Sequence, residues 1–139
     1  MNIKLNHIFL TTHGDTDILD ITPQVDDFVR SSKIINGLVT VSCPSSTSGI
    51  TTIEYESGVI EDLKKTFNDL VPKDLNYQHD EAWHDGNGYS HVRAALLKTS
   101  LVVPVADARL MLGTWQQIVF IDFDNRPRKR EIIVQIIGE

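Results

Sequence analysis

Three of the chain's five histidines, His79, His84 and His91, crowd into one polar stretch near the middle of the sequence. The spacing of His79 and His84 falls in the range common for two imidazoles sharing one metal ion. Asp80, Glu81 and Asp85 add carboxylates to the same segment. Borderline metals accept such a mixture of nitrogen and oxygen donors, zinc above all, in tetrahedral or five-coordinate geometry. A carboxylate there can also act from behind, orienting an imidazole that ligates. The run Asp85-Gly86-Asn87-Gly88 brings two glycines, whose freedom lets backbone N–H groups approach an anion. The chemistry suggested is a divalent metal, zinc by donor type with magnesium as the alternative, beside a bound anion. The plainer reading is a set of ordinary surface imidazoles.

Other residues of similar promise lie outside this stretch. Ser46 and Thr47, within the small-residue loop Ser45–Gly49, offer hydroxyls between two strands and suit a phosphate, or merely a turn. Glu54 follows apolar strand residues and would serve as a metal ligand or general base if it faced inward. Arg126 and Arg128, with Lys129 and Arg130, form a basic run near the C-terminus. Such a run is either a solvated hairpin tip or a guanidinium clamp for phosphate.

The elements that must position these residues follow from periodicity. Residues 3–12 read as a strand, and Thr22-Pro23 opens a helix that should close by Asn36-Gly37. Residues 38–43 and 50–56 read as strands. Between Ser57, an N-cap candidate, and Pro72, the residues Val59, Ile60, Leu63, Phe67 and Leu70 trace one helical stripe. Residues 73–90 read as a long polar loop, followed by a short helix from Ser90 to Lys98. The strands Ser100–Val105, Arg109–Leu112, Trp115–Phe123 and Lys129–Ile137 come next, with tight turns at Ala106-Asp107 and at Asp124–Pro127. Strands and about three helices without regular alternation predict a single α+β domain over residues 1–139, with antiparallel sheets. Trp115 is expected in the core. Trp83, in a polar loop, needs apolar cover or a ligand face.

Composition narrows the classes of function. The chain has 13 Lys and Arg against 19 Asp and Glu, a net charge of −6. A negative surface disfavours nucleic acid and anionic membranes, both of which bind through phosphate neutralisation. Cys43 is the lone cysteine and cannot form an internal disulfide. It sits at the end of an apolar strand with no adjacent base to activate it. Neither a signal-peptide pattern nor a run long enough to cross a bilayer is visible, so the expected location is cytoplasmic.

Three blocks in this order carry a family resemblance. Ser46-Thr47-Ser48-Gly49-Ile50-Thr51-Thr52-Ile53-Glu54, His84-Asp85-Gly86-Asn87-Gly88-Tyr89-Ser90-His91 and Leu112-Gly113-Thr114-Trp115-Gln116-Gln117 together resemble the YjbQ-like family, whose members are often labelled secondary thiamine-phosphate synthase. The resemblance runs from about Gly37 to Glu139 and includes a C-terminal strand from Arg128 to Gly138. It implies a small α+β fold, a homotrimer, and a pocket for a metal or anion lined by histidines and acidic residues. On motif position it implies site roles for His79, His91, Glu54 and Asp85. Many members carry a histidine where this chain has Ser45, and an asparagine where it has Ile53; His84 is the extra imidazole available in the loop. The implied activity joins a pyrimidine pyrophosphate to a thiazole phosphate.

The resulting expectation is a metal-dependent enzyme acting on a small phosphorylated metabolite. His79, His84 and His91 would hold the metal, and Glu54 and Asp85 would be catalytic. Ser46, Thr47, Gly86, Asn87, Gly88, Arg126 and Arg128 would bind the anion. The alternative is a trimeric protein that captures such a metabolite without turning it over.

Overall fold

A computed structural model describes residues 1–139. In chain order the elements are β1 (Asn2–Thr12), β2 (Asp17–Asp20), α1 (Thr22–Ser32), β3 (Gly37–Ser42), β4 (Ser48–Ile53), α2 (Ser57–Leu70), α3 (Gln78–Trp83), α4 (Gly88–Leu97), β5 (Ser100–Ala106), β6 (Arg109–Leu110), β7 (Gln117–Asp122) and β8 (Arg128–Gly138). A five-stranded sheet has the order β1-β8-β3-β5-β6, and a three-stranded sheet the order β2-β7-β4. Every pairing is antiparallel. The α+β class and the antiparallel sheets are as expected.

The uninterrupted apolar run in β7 explains the layering. Strands that read as continuous hydrophobic runs are covered on both faces. Ile118 and Phe120 point into the main core with Val25 and Val29 of α1, Val39 and Val41 of β3, and Ile132, Val134 and Ile136 of β8. Val119, Ile121 and Phe123 point the other way, onto Phe67 of α2 and Ala94 of α4. The small sheet is therefore a middle layer, with the large sheet and α1 on one side and α2 and α4 on the other. Phe67 meets Phe123 edge to face, with ring centroids 4.7 Å apart.

A buried cation fixes α4 to the end of α2. Arg93 is fully buried. It donates to the Val71 carbonyl from Nε (3.1 Å) and Nη2 (2.8 Å), to Asn68 Oδ1 (2.9 Å) and to Thr16 Oγ1 (3.0 Å). Its guanidinium also lies 4.9 Å from the centre of the Tyr89 ring. Val71 is the C-cap of α2, so the charge sits where a helix end is negative.

Several boundaries differ from the sequence reading, each for a local reason. The first helix stops at Ser32, because Lys33 takes the left-handed conformation (φ 62°) and Gly37 already opens β3. Its N-cap is Ile21, not Thr22. The cap of α2 is Glu56, whose carboxylate accepts from the Gly58 and Val59 amides, so β4 ends before Glu54. The expected loop over 73–90 contains α3, and the four-residue strand β2 lies between β1 and α1. The helix expected from Ser90 to Lys98 spans Gly88–Leu97, with Asn87 as its N-cap. Trp115 lies outside β7 and is 72% exposed rather than in the core. The Asp124–Pro127 turn is no hairpin: it carries the chain from β7 in one sheet to β8 in the other.

The large sheet's outer face is unusually apolar. Ile3 (62% exposed), Leu5 (55%) and Phe9 (76%) project from β1, with Leu38, Val102 and Ile137 on neighbouring strands. No helix is long and apolar enough to cross a membrane.

Candidate metal and anion site

The site forms where the chain changes sheets. It leaves the large sheet after β3 through residues 43–47, and returns to it after β7 through residues 123–127. The two crossings are tied together: the Phe123 amide donates to the Thr47 carbonyl at 2.9 Å. Two aspartates at this seam are almost fully buried, Asp122 and Asp124. Burying a carboxylate is costly unless it is paired and hydrogen-bonded, and here both conditions are met.

Arg130 grips Asp122 with a two-pronged contact, Nε to Oδ2 at 2.8 Å and Nη2 to Oδ1 at 2.9 Å. Its other donors reach Ser45 Oγ (2.9 Å) and Thr47 Oγ1 (2.7 Å). Asp124 accepts from Thr47 Oγ1 at 2.9 Å and Asn87 Nδ2 at 3.3 Å, with Arg128 Nη2 at 3.1 Å. Burial pushes the Asp124 carboxyl up, but the contacts from Thr47, Arg128 and Asn87 outweigh it and hold the group below its ordinary range.

The corner between α3 and α4 packs onto this seam. The chain turns through His84 (φ 54°) and Gly86 (φ 66°), both left-handed. Gly88 then passes so close to Tyr77 that an added Cβ would lie 2.5 Å from the tyrosine's own Cβ. Its amide donates to Asp80 Oδ1 at 2.8 Å, and the Asn87 amide donates to Asp85 Oδ1 at 3.1 Å. These bonds aim the two carboxylates. Asn87 is buried, and its Oδ1 accepts from the Asn125 amide at 3.2 Å, which fastens the corner to the β7–β8 crossing.

Three ligand atoms, one each from His79, Asp80 and Asp85, lie within 4.8 Å of one another. His79 Nδ1 is 3.6 Å from Asp80 Oδ1 and 3.5 Å from Asp85 Oδ1. Both distances exceed normal hydrogen-bond range, and Nδ1 is buried with no hydrogen-bond partner. A buried, unpaired imidazole nitrogen flanked by two carboxylates is a donor set that fits a divalent cation. His91 stands beside it, with the two imidazole centroids 4.2 Å apart. Burial and the neighbouring His79 push His91 below the ordinary imidazole value, against the pull of Asp85, Asp124 and Asp80. That favours the neutral ring, the form that ligates. Alongside runs a cavity of about 340 Å³ with no hydrophobic lining residue. His91, Asp85, Ser46, Thr47, Arg128 and Arg130 are on its wall.

Residues 6–139 match the family model described as UPF0047 protein YjbQ-like. The chain belongs to this family. A UPF0047 protein of Archaeoglobus fulgidus is 41% identical over 128 residues, covering 92% of this chain and 97% of that protein. The UPF0047 protein YugU of Bacillus subtilis is 34% identical over 130 residues, covering 92% and 94% respectively. Among solved structures, a protein of unknown function from Sulfolobus solfataricus superposes with a TM-score of 0.94 at 30% identity over 99% of both chains. An uncharacterised YjbQ/UPF0047 protein of Clostridium acetobutylicum gives 0.87 at 34% identity over 95% of this chain and 99% of that one.

In this YjbQ-like chain the expected site residues divide into two groups. His79, Asp85 and His91 come together, and Ser46, Thr47, Asn87 and Arg128 surround the adjoining cavity. His84 does not join them, because it caps α3 in the left-handed conformation and is exposed. Glu54 also stands apart. Ser48 pairs with Asp122 at the site end of the small sheet, whereas Ile53 pairs with Gln117 at the other. At about 3.3 Å per residue, Glu54 is roughly 20 Å along the strand from the seam, and its residue is exposed. Arg126 is exposed and absent from the cavity wall; only its amide contributes, donating to Asp124 Oδ1 at 3.3 Å. The expected backbone nest is occupied from within, since the Asn87 and Gly88 amides hold Asp85 and Asp80.

Four residues at the centre of the seam, Ser45, Asp122, Asp124 and Arg130, were not among the expected site residues. The signal for the aspartates is their setting. Asp122 and Asp124 interrupt the run Ile118–Phe123 and its continuation, and a carboxylate on a strand buried on both faces demands a cation.

Proposed function

We propose that this chain binds a divalent cation through His79, Asp80 and Asp85, with His91 beside them, and through that cation a small phosphorylated metabolite. The proposed reaction is of the thiamine-phosphate-synthase type, a weak transferase activity joining a pyrimidine pyrophosphate to a thiazole phosphate. The observation that carries the reading is the buried, unpartnered Nδ1 of His79 between two carboxylates, next to a mostly polar cavity with guanidinium groups on its wall. A bound cation would supply charge neutralisation for a leaving pyrophosphate. The protein's own part is positional: the Gly88 and Asn87 amides aim the carboxylates, and Asp124 with Asn87 seats the α3–α4 corner. The nitrogen and oxygen donors suit zinc, with magnesium the alternative.

The proposal includes a homotrimer, supported by the apolar outer face of the large sheet, where Ile3, Leu5 and Phe9 stand exposed. Light scattering coupled to gel filtration tests it, with a monomer as the result against it.

Elemental analysis of untagged protein, purified without chelator, tests the cation. About one transition metal per chain is expected, lost in the His79→Ala/His91→Ala double variant. Full retention of metal and activity in that variant would overturn the reading. One observation favours a second reading, capture without turnover: Glu54 stands far from the site, so no unengaged carboxylate is left as a base. Thermal stabilisation by both phosphorylated precursors with no product would select it.

A further inference from the structure

The charges around the site are unequal, and the two arginines are not equivalent. Asp80, Asp85, Asp122 and Asp124 place four carboxylates against the guanidinium groups of Arg128 and Arg130. Arg130 is largely committed: four of its five N–H donors are engaged, two by Asp122 in a fork and one each by Ser45 and Thr47. Arg128 differs. Its one ion-pair contact is Nη2 to Asp124 at 3.1 Å, and its Nε is buried with no hydrogen-bond partner. It also lines the polar cavity.

A site with more carboxylates than cations repels a free phosphate, because like charges at a few ångströms in a partly buried setting raise each other's energy. Adding a divalent cation between Asp80 and Asp85 cancels that excess and places positive charge at the spot where the anion must sit. Building on the cation site proposed above, we infer that the cavity admits phosphate and pyrophosphate groups only as partners of the bound cation, with Arg128 as the principal cationic donor to the anion. The ligand class is thus a metal-chelated phosphate ester or pyrophosphate, and the order is fixed, cation first. Arg130 is a positioning residue: it holds Asp122, Ser45 and Thr47 in place and leaves the anion to Arg128.

Linkage makes this measurable, since two ligands that help each other must do so by the same factor. Free Mn²⁺ is followed by electron paramagnetic resonance while the full-length protein is titrated, with and without inorganic phosphate. Phosphate binding is measured separately by equilibrium dialysis, with and without Mn²⁺. The expected result is Mn²⁺ binding alone, no saturable phosphate binding without Mn²⁺, and mutual tightening on the order of tenfold or more. Arg128→Gln should keep the Mn²⁺ affinity and lose most of the tightening. Equal phosphate affinity with and without Mn²⁺, or full tightening in Arg128→Gln, overturns the inference while leaving the cation site intact. Absence of Mn²⁺ binding overturns the cation reading itself, and this inference with it.

Discussion

The amide of Phe123 and the carbonyl of Thr47 meet at 2.9 Å, and this single bond joins two of the places where the chain passes between its sheets, after β3 and after β7. Everything in the candidate site hangs from that junction. Thr47 sends its hydroxyl to Asp124 and receives Arg130, while Phe123 leads directly into the buried aspartate.

Thr47→Val keeps the backbone bond and the side-chain shape but removes the hydroxyl. Asp124 loses a donor and Arg130 loses an acceptor, both in a buried setting. A hydrogen bond to a charged group contributes about 1.5–3 kcal/mol, and Asp124 and Arg130 both keep other partners, which limits the loss to about one such bond. A loss of about 2 kcal/mol in urea unfolding, with the fold retained, is the expected result. An unchanged midpoint would show that water replaces the hydroxyl at no cost.

His79→Ala and His84→Ala separate the two imidazoles that the sequence makes look alike. His79 stands within the donor cluster and His84 is exposed outside it. Metal content measured on the two purified variants should fall to background in the first and stay at the wild-type level in the second. Loss in His84→Ala alone would reverse the assignment.

Arg93→Met should be the most destabilising of these changes. It strands the buried Val71 carbonyl, which accepts two of the guanidinium bonds, and removes the clamp between α2 and α4. The expected loss is about 3 kcal/mol by the cost of unmade bonds to a charged donor, read as a lowered urea midpoint. Because α4 carries His91, metal affinity should fall as well.

Stability of the metal-free protein should depend on pH in two separate windows. His91 is held below the ordinary imidazole value of 6.5, so the unfolded chain takes up this proton first. Acidification through about pH 6 therefore favours unfolding, and stability rises with pH across that window. His91→Gln should flatten the slope. Asp124 is held below 3.8, so its contribution is present above that value and is lost as pH falls through its lower folded value. Urea midpoints from about pH 3 to pH 7 in the presence of a chelator measure both; a His91→Gln profile that matches wild type would discount the first.

Long periodic segments were legible from sequence alone. The stripe Ile60, Leu63 and Phe67 and the strands around Val39, Val103 and Val134 lie where their patterns predict, because burial on one face imposes the period, although Leu70 at the end of the stripe is exposed. The short elements were not. β2 has four residues and α3 six, too few for a period to emerge. Trp115 misled because aromatic residues favour strands, yet it lies before β7 and outside the core. Half of the site was visible as a local cluster, His79 to His91. The other half joins Ser45 to Arg130 across two sheets, a contact that no spacing along the chain reveals. Glu54 and His84 have the right chemistry in the wrong places: one follows the far end of a strand, and the other faces outward from a helix cap.

The strand order of the large sheet has a consequence for biosynthesis. β8, near the C-terminal end, lies between β1 and β3 and supplies the only strand neighbour that β1 has. A nascent chain carries β1, with Ile3, Leu5 and Phe9, out of the ribosome more than a hundred residues before its partner. Until β8 has been made, that strand has no neighbouring strand to pair with, and an unpaired apolar edge invites aggregation. Pairing of β1 thus waits on β8, and truncation anywhere before Arg128 would leave β1 unpaired and the seam without its arginines.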